Sequence, residues 1–224
     1  MSLRFAVFDI DGTLIDSAAS IVAGVQACWT ACGFADPDPA AVRRTIGLPW
    51  EHGVRALLPN CGEAEFAAIR GYYEDVARGA RTRPPLSEVL FPGALEALEE
   101  IAGSGALLGI VTSRNSRRLA QLLETHGLHD RFVCVKTVDH GPGKPDPHLL
   151  LEAMSDVGAE RNRTVMIGDT VYDIQMATNA GTTGVGVAWG VHEADELRTA
   201  GARHVVHSFR ELPDIVQELI GGTS

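Results

Sequence analysis

The segment FAVFDIDGTLIDS, residues 5–17, opens on an apolar run, Phe5 to Phe8, and stops on two aspartates one residue apart. A short apolar run of this kind reads as a strand buried on both faces, as strands of parallel sheets are. On a backbone that stayed extended, Asp9 and Asp11 would leave the same face. Asp11-Gly12 is also a strong hairpin signal, and a plain turn is the competing explanation. After Gly12, however, the stretch TLIDSAASIVAGV turns helical instead of returning as a strand. In a parallel α/β sheet, ligands bind beyond the carboxyl ends of the strands, which is where this pair would stand.

Working outward, similar apolar runs recur at 106–111, 132–135, 164–167, 183–187 and 204–206, separated by helical periodicity at 93–102, 116–125, 147–157 and 172–180. Strand and helix in alternation predict an α/β fold, a doubly wound parallel sheet with helices on both faces. The interval 16–85 breaks the pattern. It offers helix-like segments at 20–32, 39–45, 49–58 and 63–78, no convincing strand, and breaks at GFADPDP and LPNCG. The expected layout is one α/β unit from residues 1–15 and 86–224, with a helical insertion at 16–85.

A chain of 224 residues with 45% hydrophobic and 21% charged residues is long enough to bury a sizeable core. Its formal charge of −10 disfavours nucleic acid and anionic lipid as partners, so an anionic ligand needs a metal or a few placed cations. No stretch approaches the roughly 20 apolar residues of a membrane span, and no signal peptide begins at Met1, which makes the cytoplasm the expected compartment. Cys28, Cys32, Cys61 and Cys134 lack zinc spacing and read as reduced packing thiols. There are only two lysines, Lys136 and Lys144. Wherever lysine chemistry is required, the candidates are already few. Nothing in the sequence sets an oligomeric state.

Four motifs stand in order: DIDGTLIDS at 9–17, the apolar LLGIVTSRN containing Thr112, GKPDP with Lys144, and VMIGDTVYDI with Asp169 and Asp173. Together they resemble the motifs of the haloacid dehalogenase (HAD) superfamily, over about residues 5–190. GKPDP, GDxxxD and the NAG beyond it are similar to those of its phosphoglycolate phosphatase-like members, which have a Rossmann-like core and an inserted helical cap. The resemblance implies a phosphatase that uses Mg²⁺ and acts on a small phosphate ester through an aspartyl-phosphate.

By that resemblance Asp9 is the nucleophile, and the metal ligands are Asp9, the backbone carbonyl of Asp11, and Asp169, with Asp173 in support. Chemistry asks for the same residue types. A carboxylate attacking a phosphate dianion is repelled, and a hard cation on oxygen ligands relieves that repulsion. Covalent transfer splits one hydrolysis into two displacements. Asp11 would give and take the proton; the dehalogenase branch lacks this second aspartate. Gly12, Thr112, the backbone N–H of Ser113 and Lys144 would hold the phosphate. Thr112 reads equally as a helix N-cap when taken alone, and Asp169 with Asp173, four apart, as a cap and a dipole-complementing acid on one helix face. Family members often carry Asn where this chain has Ser113, a change that keeps the backbone donor.

The insertion falls where the superfamily places its cap, and IGLPWEHGVR resembles the loop that reads the substrate. Arg44, Gly47, Trp50, His52 and Arg55 are the implied contacts, with Trp50 alternatively packing and His52 alternatively on the surface. His140, His148 and His192 have no partner spacing and receive no role. Residues 16–85 contain no lysine, so the phosphonate-cleaving branch, which forms a Schiff base on a cap lysine, is disfavoured. The alternatives are a β-phosphoglucomutase-like sugar phosphomutase and, from another class, a HAD-fold binding module without turnover.

Overall fold

The apolar run at the start of the chain forms β1, Phe5–Phe8, and the alternation of its side chains feeds two cores. Ala6 and Phe8 pack on one face of the sheet, and Phe5 and Val7 on the other. The computed structural model describes residues 3–82 and 87–221.

After β1 the chain crosses out of the sheet and back through a small antiparallel ribbon of β2 (Ile15–Asp16) and β3 (Val89–Leu90). Between these strands lie α1 (Ala18–Ala31), α2 (Pro39–Arg44), α3 (Trp50–Leu57) and α4 (Glu63–Ala77). These helices enclose a core of their own, centred on Cys28, Trp29, Val54, Phe66, Ile69 and Tyr72. The four helical segments agree with those read from the sequence to within a residue or two. The ribbon is not legible in the sequence, because two residues per strand are too few to show a period. The expected return point at 85–86 lies outside the described residues.

Beyond the ribbon, α5 (Ala94–Gly103), β4 (Leu107–Val111), α6 (Ser116–Thr125) and β5 (Cys134–Lys136) wind one way. Then α7 (His148–Val157), β6 (Thr164–Gly168), α8 (Val171–Ala180), β7 (Thr183–Val187), α9 (Ala194–Thr199), β8 (His204–Val206) and α10 (Leu212–Ile220) wind the other. The six-stranded sheet has the order β5-β4-β1-β6-β7-β8, with every pair parallel. Helices α5, α6 and α10 cover the Phe8 face, and α7 and α8 the Phe5 face. Winding reverses beside β1, so the switch point, where doubly wound sheets bind ligands, falls at the end of the segment that begins the chain. Among the described residues no helix is long and apolar enough to cross a membrane.

Candidate functional site

Register brings the motifs level. Phe8 pairs with Ile110 of β4 and with Ile167 of β6, so Asp9, Thr112 and Asp169 emerge from adjacent strands within one residue of each other. The amide of Asp9 donates to the carbonyl of Ile167 at 2.9 Å, fixing that level. Carboxylate oxygens of Asp9, Asp169 and Asp173 lie within 4.8 Å of one another, and all three residues are buried.

Lys144, also buried, reaches Asp9 Oδ1 at 2.6 Å and Asp173 Oδ1 at 2.7 Å. Asp169 accepts from Thr13 Oγ1 (2.9 Å) and from the amide of Val191 (2.8 Å). Among the described residues Asp9 Oδ2 has no hydrogen-bond partner. With all three carboxylates ionised, one ammonium would leave two negative charges unbalanced in a buried pocket, where uncompensated charge is costly. Burial pushes the Asp9 carboxyl up to about 7 against the pull of Lys144, with Asp173 adding to the rise. Asp169 is held well above the usual carboxylate range by burial and then by Asp173 and Asp9. Burial alone would lower the Lys144 ammonium, but Asp173 and Asp9 hold it above its ordinary value. An all-oxygen donor set, an orphaned carboxylate oxygen and two unbalanced charges fit a hard divalent cation.

Asp169 and Asp173 do not share a helix face, because α8 starts only at Val171. Thr170 is the N-cap, and Asp173 closes a capping box: Thr170 N and Oγ1 donate to Asp173 Oδ2 at 3.0 and 2.6 Å. That leaves Asp173 Oδ1 for Lys144. Thr112 is not an N-cap either, since Asn115 caps α6; its buried hydroxyl accepts from Arg114 N at 3.2 Å and keeps its proton to donate. Gly12 adopts φ +82°, and a Cβ there would lie 2.2 Å from Asp169 Oδ2. Only glycine lets the turn pass so close.

Asp9 and Asp11 part company. The strand ends at Phe8, and the turn beyond it sends Asp11 towards the ribbon. Its oxygens take a fork from Arg114, Nε to Oδ2 at 2.7 Å and Nη2 to Oδ1 at 2.5 Å, and a hydrogen bond from Ser17 Oγ. Burial opposes ionisation of Asp11, yet Arg114 and Ser17 hold its carboxyl below the usual range.

The segment 44–55 reaches the core at its near end only. Ser113 Oγ donates to the Gly47 carbonyl at 2.6 Å, and Gly47, at φ +93°, passes so close to Thr170 that a Cβ would sit 3.0 Å from its Oγ1. The other expected contacts have different partners. Arg44 pairs with Glu196 at 2.5 Å, and its carbonyl accepts from Tyr172. Trp50 packs between Phe66 and Tyr73 inside the helical insertion. His52 is exposed, and Arg55 stacks on Phe66 beside Glu63. Aromatic packing engages the Trp50 ring but leaves its buried indole Nε1 without a hydrogen-bond partner among the described residues, and pairing across the seam engages Arg44. Reading the sequence alone passes over Thr13, although it stands inside DGT, and also Ser17, Glu88 and Arg114, whose pairing spans about a hundred residues at the most.

Comparison with known proteins agrees with this geometry. The model of the family described as haloacid dehalogenase-like hydrolase matches residues 6–187. The chain is 36% identical over 217 residues to "Probable phosphatase IndB" of Dickeya dadantii, covering 96% of this chain and 94% of that one. It is 33% identical to a phosphoglycolate phosphatase of Caulobacter vibrioides (92% and 87% covered) and 30% identical to an N-acetylmuramic acid 6-phosphate phosphatase of Pseudomonas aeruginosa (98% and 97%). Among solved structures, a hydrolase from Pseudomonas syringae superposes with a TM-score of 0.80 at 26% identity, covering 97% and 99%. With four ordered motifs converging at one sheet edge, the chain belongs to the haloacid dehalogenase-like hydrolase family, as a phosphatase-type member.

Proposed function

We propose that this protein hydrolyses small phosphate monoesters with Mg²⁺ through phosphorylation of Asp9. The observation that carries the reading is the orphaned Asp9 Oδ2 beside Lys144 in a buried, net-negative cluster of three aspartates. Asp9, Asp169 and the Asp11 carbonyl would hold Mg²⁺, with Asp173 supporting them. The ion would supply Lewis acidity and charge neutralisation towards the phosphate. Thr112, the Ser113 amide, the turn at Gly12 and Lys144 would grip the phosphate oxygens. An Asp9 oxygen attacks phosphorus as the P–O ester bond breaks, and the leaving oxygen takes a proton from Asp11, which has to gain that proton before the step against the pull of Arg114 and Ser17. Water then attacks the aspartyl-phosphate, the Asp9–phosphorus bond breaks, and Asp11 takes the proton from that water. Such proton transfer typically contributes ~10²–10⁴-fold. Residues 16–85 act as the cap, closing over the leaving group and excluding water.

The relatives' names make phosphoglycolate and N-acetylmuramic acid 6-phosphate the first esters to try. Phosphate release from a panel of metabolite phosphates with and without Mg²⁺, for wild type and Asp9→Asn, tests the reading. Turnover that needs Mg²⁺ and vanishes in Asp9→Asn supports it. Undiminished activity of Asp9→Asn would sink it.

A further inference from the structure

Arg114 is the only buried arginine among the described residues, at 7% exposure. It forks Asp11, and its third nitrogen, Nη1, meets Glu88 Oε1 at 2.8 Å. An ion triad of this kind, with its arginine buried and its two carboxylates half-buried, is a poor device for stability, because apolar residues of similar volume often serve as well. Its placement suggests another use. The Arg114 backbone follows Thr112 and Ser113 off β4, and its carbonyl accepts from Val138 N in the turn after β5. Asp11 sits on a turn outside any strand of the sheet, where Gly12 N donates to the Ile15 carbonyl and Leu14 and Ile15 N donate to the Ile10 carbonyl, so its backbone is held locally and its carboxyl is gripped by Arg114 and Ser17. A carboxylate offers about four acceptor directions. Arg114 occupies two and Ser17 a third, leaving one open. Ser17 and Glu88 stand at the outgoing and returning crossings of the ribbon.

We infer that Arg114 is a positioning residue for Asp11: it fixes the one open direction of that carboxyl and ties it to both chain crossings into the helical insertion. The inference rests on Asp11 being the proton donor and acceptor, and Arg114 acts through Asp11 alone.

The test compares kcat/KM of the Mg²⁺-loaded enzyme on p-nitrophenyl phosphate, whose leaving group needs little protonation, with that on an alkyl phosphate, whose leaving group needs a proton. Arg114→Gln is expected to lose about 10–100-fold on the alkyl ester and only a few-fold on the aryl ester. Asp11→Asn should show the same discrimination, and the double variant should be no worse than Asp11→Asn alone. Arg114→Lys keeps the charge but not the fork, and it is expected to fall between wild type and Arg114→Gln; if Arg114→Gln does not fold, Arg114→Lys carries the comparison. Equal losses on both esters, or a full additional loss in the Asp11→Asn background, would overturn the inference. Discrimination by Asp11→Asn without any by the Arg114 variants overturns it alone. No discrimination by Asp11→Asn overturns the role of Asp11 as well.

Discussion

At the residue scale, the cluster at the end of β1 is held by charges that want a cation. Asp9 titrates at about 7 in the fold and near 3.8 when unfolded, and Asp169 is also raised, well above that ordinary value. The cation-free fold therefore keeps protons that the unfolded chain has released. Between those two values Asp9 makes stability fall as pH rises, and above about 7 its penalty is complete. A divalent cation replaces those protons and removes the penalty. Mg²⁺ should therefore raise the melting temperature more at about pH 8 than at about pH 5; equal shifts, or none, would contradict the assignment of the cluster as a cation site. Gly12→Ala is a second test. A left-handed alanine costs roughly 1–2 kcal/mol, and its Cβ would displace the Asp169 carboxylate. The expected result is a fall of several degrees in the melting temperature, with a proportionally larger fall in turnover.

At the element scale, the N-terminus of α8 does two jobs with one capping box. Asp173 accepts from Thr170 at Oδ2 and from Lys144 at Oδ1, so the cap that starts the helix also aims a carboxylate at the site. Thr170→Ala should cost about 0.5–2 kcal/mol as a lost N-cap and lower activity beyond what that destabilisation explains, whereas Thr170→Ser should keep both; thermal melts run beside phosphate-release assays check it. This scale also shows what can be read in advance. Buried parallel strands are apolar runs, so β1, β6, β7 and β8 are legible nearly to the residue, and the carboxylates at the ends of β1 and β6 come with them. The capping box is not, because Asp169 and Asp173 look like one helix face until the first helical residue is known to be Val171. Asp9 and Asp11 look alike in sequence for a similar reason: the turn that separates them is a backbone event at Gly12, not a change of residue type. Arg114 escapes a sequence reading because its partners, Asp11 and Glu88, come from other parts of the chain.

At the scale of the whole molecule, the helical insertion meets the loops and helices of the α/β unit along a seam that includes Arg44, Gly47 and Ala77. Arg44 and Glu196 close one side of it at 2.5 Å, but their side chains are 61% and 32% exposed. Pairs so exposed contribute about 0–1 kcal/mol. Arg44→Ala should therefore move the melting temperature by no more than a few degrees, and a loss of several kcal/mol in denaturant unfolding would mean that the seam bears more of the fold than its geometry suggests. The core of the insertion, around Trp29 and Phe66, is separate from both cores of the sheet.

The two crossings of the ribbon run side by side, Ile15 opposite Leu90 and Asp16 opposite Val89. Antiparallel neighbours at that spacing are what a short reverse turn joins. The chain thus carries a ready-made splice point. A hairpin, or a lid of a different size, could replace everything from 17 to 88 without shifting any strand of the six. What such an exchange would forfeit is the Ser17 hydrogen bond to Asp11 and the Glu88 pair with Arg114, while the Arg114 fork on Asp11 would stay. A transplanted insertion would have to bring its own hydroxyl and carboxylate to the ribbon to restore both contacts.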